Sequence, residues 1–233
     1  MARIWTPDRH DDPELMDSPG LPASEVEDAY RVLRRVNRQL GNIRTMRREY
    51  LRFLREDCPG SLPITAVDVG SGSGDIPEAL RQLTPGRDVQ VLALDRDPTA
   101  VASARRRSLS VVRGDALRLP FDDRTIDLVI AVKFAHHFHG PSLGRLLDEM
   151  ARVARHRVVV LDIRRHWLAY WGFRAWSLFF TRNRLVRHDG PLSVLRGFTG
   201  EELLGATATL SRFDWVVRSY AGFQLALIGR RTS

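Results

Sequence analysis

Two hydrophobic rhythms divide the chain. From Ser24 to Leu54, apolar side chains recur every three or four positions: Tyr30, Leu33, Val36 and Leu40, then Ile43, Met46, Tyr50, Phe53 and Leu54. Arg31, Arg34, Arg35 and Arg38 fill the opposite face of the first run. This spacing predicts two amphipathic helices separated at Gly41. Ser24 and Glu27 have capping-box spacing just after Pro22. The second helix is expected to stop near Cys58–Pro63. From Ile64 the rhythm changes. Short runs that are apolar throughout, "ITAVDVG", "VQVLALD", "LSVVRGD", "IDLVIAVKF" and "RVVVLDI", alternate with helical stretches such as "DIPEALRQL", "PTAVASARRR" and "SLGRLLDEMARVA". Pro77 fits a first helical turn, and Asp97 with Pro98 reads as a cap and its first helical residue. Strands apolar on both faces predict an α/β protein whose parallel sheet is covered on both sides. "FDWVVRSY" and "FQLALIGRR", with Ala221 and Gly222 between them, have hairpin spacing, so one late strand is expected to run antiparallel.

This grammar predicts an N-terminal arm and helical cap over residues 1–60 and a main domain over 61–233, with 164–205 inserted on the substrate side. Residues 1–23 are rich in proline and acids and read as irregular.

Composition narrows the classes. Hydrophobic residues make up 43% of the 233, enough for a packed core. Cys58 is the one cysteine, which excludes an internal disulfide and a cysteine-based metal site. The first twenty residues lack the pattern of a signal peptide, and no run of eighteen apolar residues occurs, so a cytoplasmic location is expected. The net charge of +8 invites a nucleic-acid partner. Yet Lys133 is the one lysine among 36 basic residues, and a uniform arginine bias reads as general surface composition.

"VDVGSGSGDIP", Val67 to Pro77, places Gly70, Gly72 and Gly74 between a strand and a helix, where backbone meets ligands in open α/β sheets. A dinucleotide loop needs G-x-G-x-x-G, but Asp75 or Pro77 stands at the third glycine. A P-loop needs a lysine, and none is near. Asp68 and Asp75 would repel phosphates and suit a cationic ligand. Asp95 ends the next strand 21 residues after Gly74, where an acid accepts from a ribose diol. Asp115 follows the third strand and would suit an adenine amino group.

These blocks, Asp68–Gly74, the Asp95 strand end, Gly114-Asp115-Ala116 with Leu119-Pro120-Phe121, and Ile126–Val129, resemble the signature blocks of class I S-adenosylmethionine-dependent methyltransferases. The resemblance covers roughly residues 60 to 230. It implies a Rossmann-like seven-stranded mixed sheet with an antiparallel last strand, helices on both faces and an N-terminal helical extension. It implies S-adenosylmethionine as cofactor, with Gly70, Gly72 and Gly74 at the methionyl part, Asp95 on the ribose and Asp115 at the adenine beside Ala116. Asp68, Ser71, Arg96 and Val132 complete the expected cofactor set. A finer likeness, in "ELMD…NRQLGN" and "RHDGPLSV…FT", is to bacterial methyltransferases of polyketide, phenolic-lipid or quinone chemistry.

For the acceptor, "KFAHHFHG" follows the fourth strand. His136 or His137 is the candidate base for an oxygen or carbon nucleophile, and a structural role for both is the competing reading. His139 is a candidate substrate contact. The tight spacing, with no cysteine or carboxylate joining the three histidines, argues against a metal. His188-Asp189-Gly190 reads as a turn before a short extended piece and a helix opened by Thr199 and Glu202, with His188 a second candidate substrate contact. "RRHWLAYWGFRAWSLFFTRNRLVR" carries eight large apolar residues within fourteen, and six arginines but no acid lie between Asp162 and Asp189. Tyr170 and Arg174 lie on its polar stripe and are candidate substrate contacts. Three readings compete for this helix: buried between sheet and N-terminal helices, a lid over an apolar substrate, or a peripheral membrane contact through 166–187.

The expected activity is therefore methyl transfer to a small hydrophobic or phenolic molecule, O-methylation before C-methylation. Nucleic acid is not the expected partner, because no Asn-Pro-Pro-Tyr-type motif follows the fourth strand. The rivals are an RNA methyltransferase and a non-catalytic scaffold that keeps the fold. The pattern specifies no oligomeric state.

Overall fold

The computed structural model describes residues 5–58, 63–83 and 88–232. Two helices come first, α1 (Ala23–Gln39) and α2 (Asn42–Glu56), hinged at Gly41 with φ of 82°. The Ser24–Glu27 capping box does not form. The cap of α1 lies two residues earlier, at Pro22, whose carbonyl accepts from the backbone N–H groups of Glu25 and Val26. The predicted stop of α2 is seen at Asp57, and Pro59–Leu62 lie outside the described residues.

Then strands and helices alternate: β1 (Ile64–Val69), α3 (Asp75–Arg81), β2 (Val89–Asp95), α4 (Pro98–Arg106), β3 (Ser110–Arg113), β4 (Ile126–Val132), α5 (Gly140–Val153) and β5 (Ala154–Ile163). Asp97 caps α4 by accepting from the N–H groups of Thr99 and Ala100. Helices α6 (Trp167–Phe180), α7 (Arg184–Arg196) and α8 (Gly200–Gly205) follow, and β6 (Phe213–Tyr220) with β7 (Gln224–Arg231) close the chain. The seven strands form one sheet in the order β3-β2-β1-β4-β5-β7-β6. Strand β7 runs antiparallel to both neighbours, and the other pairs are parallel, as expected. The hairpin loop is three residues, not two, because Gly222 and Phe223 both take positive φ before pairing resumes at Gln224.

The period of two along the strands sorts the core into two layers. Val67, Val69, Val129, Ala131, Val158 and Val160 face α5 and Phe198. Ala66, Leu128, Ile130, Val159 and Leu161 face α2 and α3. Arg157, 2% exposed, fastens the end of α2 to β5 through Asp57 at 2.6 Å and Glu56 at 2.9 Å.

Two segments depart from the sequence reading. His188-Asp189-Gly190 is not a turn but the middle of α7, which Asn183 starts by accepting from Val186 N–H. Pro191 forgoes one helical hydrogen bond there. Gly190 is needed because a Cβ would lie 1.9 Å from the ring of Phe173, so α6 and α7 pack closely at this point. Helix α6 is not a buried helix: Ser177 is its one buried residue, and its inner side, with Phe173 and Trp176, meets α7 and α1 while its outer side is exposed. Both departures place α1, α6 and α7 over the carboxyl edge of the sheet.

Candidate active site

Between that edge and these helices lies a cavity of about 1210 Å³. Its floor is the turn after β1. Gly70, Gly72 and Gly74 have φ of 70°, 52° and 78°. At Gly74 this conformation is enforced by packing, since a Cβ would sit 2.3 Å from Leu109 and 3.2 Å from the Cβ of Ala104. Asp95, at the end of β2, accepts from the N–H of Gly72 at 2.8 Å on one oxygen and from the N–H of Asp97 at 3.0 Å on the other. It thereby holds the glycine turn in shape and keeps further lone pairs for a ligand. Asp95, Arg96, Asp97, Asp115, Ala116 and Val132 line the same space. Asp115 is exposed and turns its own loop by accepting from Leu117 N–H at 2.9 Å.

Two buried oxygens at the turn, Ser71 Oγ and Asp68 Oδ1, lack a partner among the described residues. Ser71 lies in the wall. Asp68 lies beneath it, 1% exposed, instead of lining it. Burial, aided by the charges of Asp75 and Asp95, pushes its carboxyl well above the ordinary range. Burial also raises Asp75 and Asp95. A cluster of acids that resists ionisation fits a ligand bringing an ammonium and hydroxyl groups.

Helix α1 closes this side. Tyr30 OH donates to Asp97 at 3.0 Å, Arg34 to Ser73 Oγ at 3.2 Å and Asn37 to Asp75 at 2.5 Å. Burial, then the nearby Asp95 and Asp97, raise the Tyr30 phenol and keep it a donor.

The other end of the cavity is built from distant segments. The turn Ala135–His137 carries two stacked imidazoles, 4.6 Å between centroids. His136 is 3% exposed, with Nδ1 2.8 Å from Asp162 at the end of β5 and Nε2 3.4 Å from Glu14 on the arm. Burial alone would lower its pKa; the charge and hydrogen bond of Asp162, with those of Glu14, outweigh burial and raise it to about 9. Both carboxyls answer in kind: burial would raise them, but His136 draws Glu14 and Asp162 down to about 2. His136 is thus a clamped cation at neutral pH, with no free nitrogen to take a proton. His137 lines the cavity beside Asp17, at 3.2 Å.

The expectation that no carboxylate joins the histidines is corrected. Glu14, Asp17 and Asp162 do, from positions more than twenty residues away, and ligand-type atoms of Glu14, His136 and His137 lie within 4.8 Å of one another. The arm reaches this place because α7 receives it: Asp189 accepts from the N–H groups of Leu15 and Met16 at 2.8 and 2.9 Å, and Ser193 donates to Glu14 at 2.7 Å. Arg9 and Arg196 donate to the carbonyls around His136–Phe138.

Four expected substrate contacts stand outside the wall. His139 is exposed at the start of α5, Tyr170 packs edge-on against Trp167 and Trp171, Arg174 points to solvent, and His188 pairs with Asp189. Side chains that do line it were missed. Lys133, at the end of β4 with φ of 55°, is half-buried in the wall, and burial lowers its ammonium to about 8 against the pull of Asp162. Its signal was in the composition: it is the one lysine among 36 basic residues. Tyr30 and Glu14 had no local signal.

A sequence model described as a methyltransferase domain matches residues 66–167. Those residues are thus similar to a methyltransferase domain. The fold agrees: a SAM-dependent methyltransferase from Aquifex aeolicus superposes with a TM-score of 0.60 at 15% identity, covering 91% of this chain and 100% of that one. Magnesium protoporphyrin IX methyltransferase from Synechocystis, solved with bound SAH, gives 0.58 at 14%, covering 82% and 84%. Among curated relatives of the methyltransferase domain, the "Probable tRNA methyltransferase 9B" of Bos taurus is 36% identical over 102 residues, 43% of this chain and 20% of that one. The demethylmenaquinone methyltransferase of Shouchella clausii is 36% identical over 98 residues, 39% and 40%. The phthiotriol/phenolphthiotriol dimycocerosates methyltransferase of Mycobacterium leprae is 34% identical over 96 residues, 40% and 33%. The chain spans two fifths or less of the length of these three. The sequence likeness to these three covers about two fifths of this chain, whereas the fold likeness covers most of it.

Proposed function

We propose that the chain is an S-adenosylmethionine-dependent methyltransferase acting on a small apolar or phenolic acceptor, with O-methylation first and C-methylation second. The observation that carries this reading is the continuity of one cavity from the glycine turn and Asp95 to Lys133 and His137. When bound, the cofactor supplies an electrophilic methyl group. The residues that would hold it are Ser71 and the glycine turn at its amino-acid end, Asp95 with Asp97 at the ribose, and Asp115 and Ala116 at the base.

The acceptor end follows from this chain's own side chains. Leu21, Val26, Leu33, Phe134, Phe173 and Trp176 supply apolar wall, so a flat hydrophobic molecule loses little on leaving water. Much of the rate comes from holding the acceptor in line. Lys133 replaces His136 as the candidate base, because a lysine lowered to about 8 is part-neutral near pH 7 and takes a proton from a hydroxyl. An arginine could not do so, which gives a reason for a lysine here in an arginine-only chain. His136 orients the turn through its two carboxylates, and His137 remains a candidate donor to the acceptor oxygen.

The relatives' names favour no single acceptor: one is a tRNA methyltransferase, others act on demethylmenaquinone and phthiotriols. A cavity roofed by the arm, α1 and α6 suits a small molecule. The test is transfer of a labelled methyl group from S-adenosylmethionine to a panel of phenols, quinols and a tRNA pool. Label on a phenol or quinol supports the reading; label on tRNA alone overturns it.

A further inference from the structure

The exposed side of α6 is not used by the site. Trp167, Trp171, Leu178 and Phe179 share one face at helical spacing, and all four are exposed. They are among the largest exposed apolar groups of the molecule: Phe179 is 84% exposed, Trp171 58% and Leu178 56%. A contiguous apolar patch of this kind marks an interaction surface. The charges around it have one sign. Arg164 precedes the helix, Arg174 lies on it and Arg182 follows it; all three are exposed and none has a carboxylate partner among the described residues. Arg184, farther along, is paired with Glu25, and Arg187 donates to the carbonyls closing α6. No acid lies between Asp162 and Asp189, and Asp162 is buried.

From these features we infer that the outer face of α6 docks the protein onto an anionic lipid surface. The helix lies in the plane, its aromatic and leucine side chains enter the acyl boundary, and the arginines meet the headgroups. Fourteen residues give a rod of about 21 Å along that plane, and no described helix is long and apolar enough to cross a membrane. A second copy of the chain fits less well. A two-fold contact through this face would set one arginine-only rim against another. The other side of the same helix lines the cavity with Leu168, Ala169, Gly172, Phe173 and Trp176, and Leu168 is itself 57% exposed. Docking therefore puts the cavity mouth at the lipid boundary, where an apolar acceptor is dissolved. That last step rests on the proposed function; the docking itself does not.

The test is cosedimentation of the full chain with vesicles of phosphatidylcholine, alone and mixed with phosphatidylglycerol, beside calorimetry with S-adenosylhomocysteine on the same samples. The expected result is binding to the mixed vesicles, weakened by salt, with a blue shift of tryptophan emission. Leu178→Asp with Phe179→Asp should lower the partition coefficient by about tenfold or more. Neither side chain lines the cavity, so S-adenosylhomocysteine binding should be unchanged in that variant. Vesicle binding without S-adenosylhomocysteine binding would leave the docking standing and remove the proposed function. No sedimentation with the mixed vesicles at low salt, binding indifferent to the double variant, or a dimer in light scattering that the double variant breaks would each overturn the proposal.

Discussion

The two ends of the cavity are built in opposite ways. At the glycine turn, backbone conformation does the shaping, and the parts lie close in sequence: Gly70, Gly72 and Gly74, then Asp95 accepting from Gly72 N–H. At the histidine end, side chains do it, and they come from far apart: Glu14, His136 and Asp162 meet in one buried cluster. Under the proposed function, the first end would serve what every methyl transfer shares. The second would serve what differs between acceptors, and its parts are free to be drawn from any segment that reaches the carboxyl edge of the sheet.

This difference explains what the sequence revealed. The alternating strands, the antiparallel β7 and the glycine turn were legible because each is set by local pattern: apolar runs, hairpin spacing and residues tolerant of positive φ. Asp95 was legible for the same reason. His136 was noticed, with its role left open between base and structural residue, because its protonation depends on Glu14 and Asp162, 122 and 26 residues away, and no spacing rule brings them together. The α7 segment was misread as a turn because Asp-Gly-Pro is a turn signal, and the close packing of α6 that makes Gly190 useful inside a helix is tertiary. Tyr170 and Arg174 were placed on a stripe correctly at helical spacing, but which side of α6 faces the cavity depends on α7.

If the histidine end is a long-range clamp, breaking it should cost more stability than any change at the glycine turn. His136→Ala takes from two buried carboxylates the cation they share and should destabilise by about 3–5 kcal/mol, read by chemical denaturation. The clamp also predicts a pH window. Its cation has a folded pKa raised above the ordinary 6.5 to about 9, so its contribution is complete below 6.5 and is lost as pH rises through 9. Glu14 and Asp162 are lowered to about 2, so their contribution is lost as pH falls below their ordinary values toward 2. A stability profile that is flat across both limbs, or His136→Ala losing less than about 1 kcal/mol, would contradict the clamp.

Lys133→Arg separates chemistry from binding at the same end. It keeps the charge and removes the proton acceptor, so the methyl-transfer rate should fall by about 10²-fold or more while S-adenosylhomocysteine affinity holds. In the unaltered protein the rate should rise with pH through about 8 as Lys133 loses its proton. A Lys133→Arg variant that keeps full rate would return the base to the histidines.

Changes at the glycine turn should be smaller and local. Gly74→Ala forces a Cβ at positive φ against Leu109 and Ala104 and should cost about 1–3 kcal/mol, with cofactor affinity falling alongside. Tyr30→Phe removes one hydrogen bond from Asp97 and should weaken cofactor binding by about 1 kcal/mol without touching the clamp. Loss of stability in Tyr30→Phe comparable to His136→Ala would mean that the two ends are not separate.

The central claim is that the turn after β1 and Asp95 hold S-adenosylmethionine. Calorimetric titration with S-adenosylhomocysteine, on the unaltered chain and on Asp95→Ala, tests it most directly. The account predicts micromolar binding to the former and a loss of about 1–3 kcal/mol in the latter. No binding to the unaltered chain at high micromolar concentration, or equal affinity in the two proteins, would contradict it.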